Sequence, residues 1–369
     1  MIAPGSTIGI LGGGQLGRML ALAAAPLGYR CHIYCPEAVS PAADVAAAHT
    51  IAAYDDKAAL TEFARAVDVV TYEFENVPAD AIPVIEAITP VRPGARSLHV
   101  CRNRSREKAF ARDLGIATAP WAPVADRTAL QGALATVGFP AILKTEELGY
   151  DGKGQAPLDN DAPETLDAAW SALDNAPAVL EQRIAFEREV SVVVARDING
   201  HSKAFVPVDN THVGGILDIT LAPAALPLSL SREAEHIAIT VADALDHVGV
   251  LCVELFVSPD GPLLLNEIAP RVHNSGHWTI EACETSQFTQ HIRAVCGLPL
   301  GSSERRANAA MKNLIGDDAA AWTEILRDPR AHLHLYGKSQ ARPGRKMGHI
   351  TWLYGLDEAP EVPSSSGGG

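Results

Sequence analysis

The side chains best suited to chemistry lie together where a predicted strand ends. An apolar run ends in Asn266 and Glu267, and Arg271, His273 and Asn274 follow after a proline. A strand that ends in a carboxylate and continues into a loop rich in hydrogen-bond donors is suited to hold a metal ion and an anion. The alternative is a strand end followed by a solvated polar loop, so the rest of the chain must decide.

A second carboxylate, Glu254, lies on the strand that precedes this one. The pattern predicts a hairpin over Val250–Ile268, and a four-residue turn would pair Val257 with Pro262. Residues that pair across a hairpin have numbers that add to a constant, which puts Glu254 and Glu267 on one face within a diagonal step. Two carboxylates on one apolar face repel unless a cation binds between them, and Mg²⁺ (or Mn²⁺) is the metal ion that fits. The alternative is that one glutamate is exposed at a rim.

A first glycine-rich turn, Gly12–Gly17, has the spacing G-x-G-x-x-G between a predicted strand, Thr7–Leu11, and a predicted helix. Backbone amides at such a turn can approach a phosphate, and the helix dipole favours an anion there. Glu37 ends the second strand, where the ribose-binding acid of a dinucleotide site would lie. The motif alone leaves open a nicotinamide enzyme, another phosphate-bearing ligand, or tight packing of helix against strand.

A second glycine-rich element follows Lys144, which ends another predicted strand. Three glycines lie within Gly149–Gly154, together with Lys153. Free amides and an ammonium group on a flexible loop suit the β- and γ-phosphates of a nucleotide, although the spacing of a Walker A loop is absent. A basic cluster, Arg342–Lys346 with Lys338 before it, could also hold a phosphate. The alternatives are surface turns that carry solvated basic residues.

The elements that would carry these motifs change in type along the chain. To about residue 95, short apolar strands alternate with helical patterns, which predicts a parallel, doubly wound sheet. The basic segment Pro93–Gly115 is predicted to be helical with a mostly solvated charged face, and Pro120 and Pro123 indicate a linker. A compact unit is expected over Ala125–Gln182, and antiparallel strands follow it.

The composition is that of an ordinary folded protein. The 369 residues include 30 Lys and Arg and 44 Asp and Glu, which gives a net charge of −14. This balance argues against nucleic acid or an anionic membrane surface as the main partner. No apolar run approaches the ~20 residues that span a bilayer, and the first residues lack the features of a signal peptide. Six cysteines without a pairing pattern indicate free thiols, so we expect a cytoplasmic protein, with residues 364–369 as a flexible tail.

Taken in order, these elements resemble the ATP-grasp ligases, and among them the enzymes that carboxylate 5-aminoimidazole ribonucleotide in purine biosynthesis. The resemblance covers roughly residues 7–352. It is carried by five motifs: Gly12–Met19, Tyr72–Val77, Gly149–Gln155, Asn266–His277 and Arg342–His349.

The resemblance implies an architecture of mixed α/β and α+β type. A Rossmann-like pre-ATP-grasp domain would occupy residues 1–95 and an ATP-grasp domain residues 96–310, with a lid subdomain at about 120–185. A small C-terminal subdomain would occupy residues 311–363.

The implied reaction converts ATP, bicarbonate and 5-aminoimidazole ribonucleotide into the N-carboxylated ribonucleotide, ADP and phosphate, with carboxyphosphate as an intermediate. ATP and Mg²⁺ (or Mn²⁺) are the implied cofactors, and a homodimer is the implied assembly. The alternatives are a sister ATP-grasp enzyme that uses formate and glycinamide ribonucleotide, a biotin-dependent carboxylase subunit and, from another class, a nicotinamide-dependent dehydrogenase.

The family pattern also implies roles for individual residues. ATP would be held by Arg104, Lys144, Gly149, Tyr150, Asp151, Gly152, Lys153, Gly154, Gln155, Glu181, Gln182, Arg183, Ile184, Glu189, His212, Asn266 and Glu267. The ribonucleotide would contact Gly14, Gln15, Leu16, Glu73 and Lys346. Catalysis would depend on Tyr150, Asp151, Arg271, His273, Asn274, Lys338 and Arg345. Either Asp151 or His273 would take the proton of the amine.

One departure from the family pattern precedes the second glycine turn, where Glu146 and Glu147 stand in place of basic residues. Beside a phosphate-binding lid, these carboxylates would repel ATP unless they point to solvent. Replacing both by arginine is therefore expected to lower the KM for ATP.

Overall fold

The computed structural model describes residues 1–78, 80–149, 153–259 and 262–363. The strands are β1 Thr7–Leu11, β2 Arg30–Cys35, β3 Ala48–Ile51, β4 Val69–Tyr72, β5 Trp121–Val124, β6 Ala141–Thr145, β7 Gln155–Leu158, β8 Ala178–Gln182, β9 Arg188–Arg196, β10 Ser202–Ala204, β11 Val208–Val213, β12 Ile216–Ala222, β13 Gly249–Val257, β14 Leu263–Ala269, β15 Asn308–Ile315, β16 Ala331–Leu335 and β17 Lys346–Tyr354. The α-helices are α1 Gln15–Ala24, α2 Lys57–Arg65, α3 Ala81–Glu86, α4 Ala95–Cys101, α5 Arg104–Asp113, α6 Ala129–Val137, α7 Pro163–Ala172, α8 Leu228–Ala244, α9 Thr279–Ala282, α10 Gln287–Val295 and α11 Trp322–Ile325.

The first segment forms the parallel sheet that the alternating pattern predicts. Its strands lie in the order β3-β2-β1-β4, and β1 pairs in parallel with both β2 and β4. Ile8 and Ile10 of β1 are fully buried because helices cover both faces of such a sheet. The glycine turn therefore lies at the carboxyl edge of the sheet, between β1 and α1.

A separate four-stranded sheet carries the second glycine element. Its strands lie in the order β5-β8-β6-β7 and are antiparallel, with α6 and α7 packed on them around Leu143 and Leu180. The predicted linker at Pro120 and Pro123 is wrong, because Pro123 lies in β5 and pairs with Val179. Since β5 is an edge strand, its proline does not remove a ladder hydrogen bond that the sheet needs.

A nine-stranded sheet forms the centre of the molecule. Its main path is β14-β13-β9-β11-β12-β15-β17-β16, and β10 pairs with β9. The predicted hairpin is present as β13 and β14 at one end, while β15, β17 and β16 continue the sheet at the other end. The expected boundary between residues 310 and 311 falls inside β15, so the C-terminal segment shares its sheet with the preceding one.

The register of the β13–β14 hairpin differs from the prediction. Val257 pairs with Leu263 and Leu255 with Leu265, and a β-bulge then shifts the register so that Glu254 pairs with Glu267. Without the bulge, Asn266 would lie opposite Glu254, and Glu267 would point to the other face. The two glutamates share a face, as expected. They do so because of the bulge, and not because of the register that the sequence predicted. The predicted turn at residues 258–261 lies partly outside the described residues, since 260 and 261 are not described.

Several other expectations can be compared with the structure. All six cysteines are free thiols, as predicted. The sequence pattern did not indicate the short strands β3 and β7. Within the part of the chain that the structure describes, no helix is both long and apolar enough to cross a membrane. The expected tail, residues 364–369, lies outside the described residues.

Candidate active site

A cavity of about 540 Å³ lies where the three sheets meet. It brings together many of the residues singled out from the sequence, and these come from distant parts of the chain. Those that line it are Gly14, Gln15, Leu16, Glu73, Arg104, Lys144, Gln155, Glu189, His212, Glu254, Asn266, Glu267, Arg271, His273, Asn274 and Lys346.

The carboxylates of Glu254 and Glu267 face each other on β13 and β14 inside this cavity. Burial and the neighbouring Glu267 raise the pKa of Glu254 to about 7. Among the described residues, His273 Nε2 lies 3.2 Å from Glu254 Oε1, and no side chain hydrogen-bonds to Glu267. No group of three or more His, Cys, Asp or Glu side chains within those residues is arranged to hold a metal ion. Two carboxylates alone fit Mg²⁺, which completes its shell with water and substrate phosphates.

His273 is held in one tautomer by a chain of buried polar groups. The Ser275 N–H donates to His273 Nδ1 over 3.3 Å, and Ser275 Oγ lies 2.8 Å from the same nitrogen. Ser191 Oγ donates to Ser275 Oγ, and Asn210 Nδ2 donates to Ser191 Oγ. Because a backbone donor points at Nδ1, that nitrogen carries a lone pair, and the proton of the neutral ring lies on Nε2. Burial, with Arg271 close by, lowers the pKa of His273 well below its usual value, so the ring is neutral.

The position of the His273 backbone is set by Gln287 of α10. Gln287 Oε1 accepts from the His273 N–H at 2.9 Å, and Gln287 Nε2 donates to the His273 carbonyl at 2.7 Å. Gln287 is fully buried, so this paired contact is shielded from water. The neighbouring Asn274 donates to Asn313 of β15 at 2.9 Å. The loop after β14 is therefore attached both to a helix and to the C-terminal strands.

The first glycine turn already binds an anion that belongs to the protein. The amides of Gly14 and Gly17 donate to the carboxylate of Glu73, the latter at 2.7 Å. A Cβ at Gly12 would lie 2.3 Å from Glu73, and Gly12 has a φ of +111°, so glycine is required there for space and for conformation. Burial raises the pKa of Glu73, although these amides oppose the shift. The fingerprint is thus explained by an internal carboxylate, and Glu37, the expected ribose acid, is exposed.

Arg271 forms an ion pair with Glu75, which follows β4 of the first sheet. Arg271 Nη2 lies 2.9 Å from Glu75 Oε1, and a second contact joins Nε to Oε2. Burial alone would raise the pKa of Glu75, but the guanidinium outweighs it and holds that pKa below its usual value. The pair is bidentate and fixes the direction of the Arg271 side chain.

Two further carboxylates hold cationic side chains that line the cavity. Glu181 lies between two lysines: its Oε2 is 3.1 Å from Lys144 Nζ and 3.2 Å from Lys108 Nζ. Glu189 accepts from His212 Nδ1, and although burial alone would lower the pKa of His212, this carboxylate raises it. The lysine and histidine that face the cavity are therefore held by carboxylates from neighbouring strands.

Some residues singled out from the sequence do not line the cavity. Lys338 Nζ donates to the Lys346 carbonyl at 2.7 Å, Arg345 donates to the Gln340 carbonyl, and Arg183 is ion-paired with Asp159. The other singled-out residues that do not line the cavity lie between β6 and β7 or at and just after the end of β8. They are Gly149, Lys153, Gly154, Glu181, Gln182 and Ile184. Three more, Tyr150, Asp151 and Gly152, lie outside the described residues.

Other lining residues were not singled out individually from the sequence. Phe186 and Phe256 stack with their ring centroids 4.6 Å apart and form a flat apolar wall beside Glu254. The remaining unexpected lining residues are Phe74, Glu75, Asn76, Ile142, Gly215 and Leu217. In a sequence, single aromatic and aliphatic residues in strands are interpreted as core residues. Their position in the wall of the cavity is therefore seen only in the tertiary structure. The motif Tyr72–Val77 was the one available signal for Glu75.

Contrary to the expectation, the charged side chains of the basic segment Pro93–Gly115 are not mainly solvated, because several of them bind Glu146 and Glu147. Glu147 forms ion pairs with Arg102 at 3.2 Å and Arg106 at 2.7 Å. Glu146 accepts from Ser105 Oγ, and its backbone carbonyl accepts from the Arg104 N–H at 2.9 Å. The two carboxylates thus attach the start of the glycine loop to α5 and do not line the cavity.

This contact reverses the expected effect of Glu146→Arg with Glu147→Arg. The double variant would remove the ion pairs and place like charges beside Arg102 and Arg106, which loosens the start of the glycine loop. We expect the KM for ATP to rise about fivefold, from a loss of ~1 kcal/mol in these partly exposed pairs. The measurement is ADP release against ATP concentration, with the exposed Glu233→Arg as the control. A lower KM in the double variant would show that the carboxylates oppose the phosphates after all.

The comparisons with known protein families agree with this arrangement of sheets. Residues 5–102 match the ribonucleotide synthetase preATP-grasp domain, residues 109–288 the ATP-grasp domain, and residues 309–359 the phosphoribosylaminoimidazole carboxylase C-terminal domain. The matches follow one another along the chain in the order that the resemblance implied.

Individual relatives are similar over almost the whole chain. The N5-carboxyaminoimidazole ribonucleotide synthase of Brucella melitensis is 51% identical over 350 residues, which cover 95% of this chain and 97% of that protein. A solved N5-carboxyaminoimidazole ribonucleotide synthetase in complex with ADP superposes with a TM-score of 0.91 at 42% identity, covering 96% and 93% of the two chains. The enzyme from Aspergillus clavatus, solved with ADP and 5-aminoimidazole ribonucleotide, gives a TM-score of 0.88 at 31% identity, covering 95% and 94%. The chain belongs to the N5-carboxyaminoimidazole ribonucleotide synthase family of ATP-grasp ligases.

Proposed function

We propose that this chain uses ATP and bicarbonate to carboxylate 5-aminoimidazole ribonucleotide, giving N5-carboxyaminoimidazole ribonucleotide, ADP and phosphate. The observation that carries the proposal is the identity of 51% to a curated synthase, at nearly full length. It is supported by one cavity that combines a facing pair of carboxylates with Lys144, Arg104 and Arg271. This is the set of charges that phosphoryl transfer needs.

The nucleotide would occupy the side of the cavity between the lid sheet and the central sheet. Lys144 and Arg104 would contact phosphate oxygens, and the stacked rings of Phe186 and Phe256 would offer an apolar surface to the base. Burial lowers the pKa of Lys144 despite Glu181 beside it, so the pairing with this carboxylate helps to keep the ammonium charged. The loop Gly149–Gln155 would close over the phosphates and exclude water.

Glu254 and Glu267 would hold Mg²⁺ together with the phosphates of ATP. The bound ion would neutralise charge that develops on the transferred phosphoryl group. The structural support is the geometry itself, since two half-buried carboxylates lie opposite each other and Glu267 has no hydrogen-bond partner among the described side chains. A cation between them removes the repulsion that raises the pKa of Glu254.

The reaction would then proceed in two steps. A bicarbonate oxygen attacks the γ-phosphorus of ATP, the bond to the β-phosphate oxygen breaks, and ADP leaves carboxyphosphate behind. Carboxyphosphate breaks down to CO₂ and phosphate in the closed site, and the exocyclic amine of the ribonucleotide forms a bond to the carbon and loses a proton. Arg271, whose direction is fixed by Glu75, would contact these groups at the point where they meet.

The tautomer of His273 favours Asp151 over His273 as the base. A ring that carries its proton on Nε2 offers a donor to the cavity, and the Nδ1 lone pair is taken by the Ser275 N–H. His273 would therefore donate a hydrogen bond, to Glu254 or to a bound oxyanion, and would not remove the proton of the amine. Asp151 is then the remaining candidate for the base, and it lies outside the described residues. The homodimer and the cytoplasmic location implied by the resemblance stay predictions.

The reaction itself is tested by ADP release. We expect release to require bicarbonate and 5-aminoimidazole ribonucleotide together, because bicarbonate accepts the γ-phosphoryl group and the bound ribonucleotide completes the closed site in which the transfer occurs. Formation of the carboxylated product from ¹³C-bicarbonate, followed by NMR, provides the second measurement. Release that instead required formate and glycinamide ribonucleotide would contradict the proposal and favour the sister enzyme.

The metal pair is tested by Glu254→Gln and Glu267→Gln. Each amide removes a negative charge but keeps the side-chain size, so we expect kcat to fall about a hundredfold or more and the Mg²⁺ requirement to rise. The measurements are rate against Mg²⁺ concentration and Mn²⁺ binding by electron paramagnetic resonance. Glu233→Gln, an exposed glutamate on α8, is the matched control. Unchanged Mn²⁺ binding in both site variants would refute the pair.

The role of His273 is tested by its tautomer and by substitution. Nitrogen-15 NMR of histidine-labelled protein is expected to show a proton on Nε2 and a bare Nδ1. His273→Gln keeps a donor and should retain more activity than His273→Ala, which we expect to lose about a hundredfold in kcat. A protonated Nδ1, or equal losses in the two variants, would return His273 to the list of possible bases.

A further inference from the structure

The bulge that brings Glu267 opposite Glu254 lies in an edge strand. β14 pairs with β13 on one side and ends the path of the nine-stranded sheet. On its other side, Leu265 forms a bridge to Thr118 and its N–H donates to the Ala117 carbonyl at 2.8 Å, and the strand beyond Leu265 faces α5. The bulge falls between Leu265 and Glu267, where Asn266 has no partner on β13. A bulge interrupts the ladder of hydrogen bonds and leaves backbone groups that need other partners.

Two consecutive residues of α5 supply those partners from the open side of β14. Glu107 Oε2 accepts from the Ile268 N–H at 2.7 Å. Lys108 Nζ donates to the Asn266 carbonyl at 3.4 Å. The two contacts lie on either side of Glu267 along the strand. Glu107 is 2% exposed and Lys108 1% exposed, so both contacts are shielded from water and have few competitors.

The contacts from Lys108 extend beyond the bulge. Its Nζ also lies 3.2 Å from Glu181 Oε2, and that carboxylate contacts Lys144 at 3.1 Å. One buried ammonium therefore joins the bulge on β14 to β8 of the lid sheet. A charged residue that is almost fully buried is rare unless it is paired in this way.

We propose that Glu107 and Lys108 are positioning residues that hold the bulge at Asn266 and so keep Glu267 on the face of Glu254. Without them, the open edge of β14 would have an unpaired amide at Ile268 and an unpaired carbonyl at Asn266, and the regular register would compete with the bulged one. That register turns Glu267 away from Glu254. The inference rests on the proposed function for its consequence, metal binding, but the bulge itself can be observed separately.

The test compares Glu107→Ala with Glu107→Gln, whose amide oxygen can still accept from the Ile268 N–H. The first measurement is hydrogen exchange of the Ile268 amide, and the second is Mn²⁺ binding to the protein–ADP complex. In Glu107→Ala we expect faster exchange at Ile268 and Mn²⁺ affinity lower by roughly ten- to a hundredfold, as for other residues that orient metal ligands. Glu107→Gln should resemble the wild type in both. Lys108→Met should weaken Mn²⁺ binding in the same direction.

Two controls separate positioning from loss of stability. Leu60→Ala removes a fully buried side chain from the core of the first sheet, far from β14, and should lower the melting temperature without changing Mn²⁺ affinity. Arg112→Ala changes an exposed residue of the same helix and should change neither quantity. The inference would be overturned if Glu107→Ala had both the same rate of Ile268 amide exchange and the same Mn²⁺ affinity as the wild type.

Failure of the proposed function has a different signature. Wild-type protein that bound no Mn²⁺ in the presence of ADP would refute the metal pair, while exchange at Ile268 would still decide whether Glu107 holds the bulge. Should Glu107→Ala not fold, the folded Glu107→Gln and Lys108→Met variants carry the test. Loss of Ile268 protection in Glu107→Gln, or wild-type Mn²⁺ affinity in Lys108→Met, would then contradict the inference.

Discussion

Repulsion between the facing carboxylates of Glu254 and Glu267 is the constraint on which the site depends. The pair lies in a half-buried cavity, where like charges are poorly screened. The bulge in β14 creates the juxtaposition, and α5 supplies hydrogen-bond partners to the backbone on either side of it. Much of the surrounding structure can be understood as support for this unfavourable geometry, which the proposed cation would stabilise.

A related principle governs the cationic groups of the site. The guanidinium of Arg271 faces Glu75, the ammonium of Lys144 faces Glu181, and the amides of the first glycine turn face Glu73. Each of these three donor groups is thus oriented in advance by a carboxylate of the protein. An acidic protein can bind phosphates in this way, because its carboxylates position the cations as well as repelling ligands. The first glycine fingerprint then has no need of a dinucleotide, which agrees with the family to which the chain belongs.

The sequence correctly predicts the elements that depend on local patterns of residues. Strands β1, β2 and β4 of the parallel sheet and the Glu254–Glu267 hairpin follow from periodicity and turn residues. Prediction failed where long-range pairing overrides local preference: β5 contains a proline that an edge strand tolerates, and the bulge at Asn266 has no signature in the residues themselves. Two further features could not be predicted, because they depend on contacts between residues far apart in the chain. These are the aromatic wall of Phe186 and Phe256 and the proposed roles of Glu107 and Lys108. The acidic pair Glu146–Glu147 was singled out from the sequence, but its partners Arg102, Ser105 and Arg106 could only be seen in three dimensions.

The way the C-terminal strands join the central sheet has a consequence for how the protein is made. β15 pairs with β12, β17 lies beside β15, and Lys346 reaches the cavity from the start of β17. During synthesis on the ribosome, the hairpin that carries Glu254 and Glu267 emerges well before these strands do. Until they arrive, β12 presents an open edge and the cavity lacks part of its wall, so a nascent or prematurely ended chain is exposed to edge-to-edge aggregation and has an incomplete site. The topology therefore couples the completion of the binding cavity to the completion of the polypeptide.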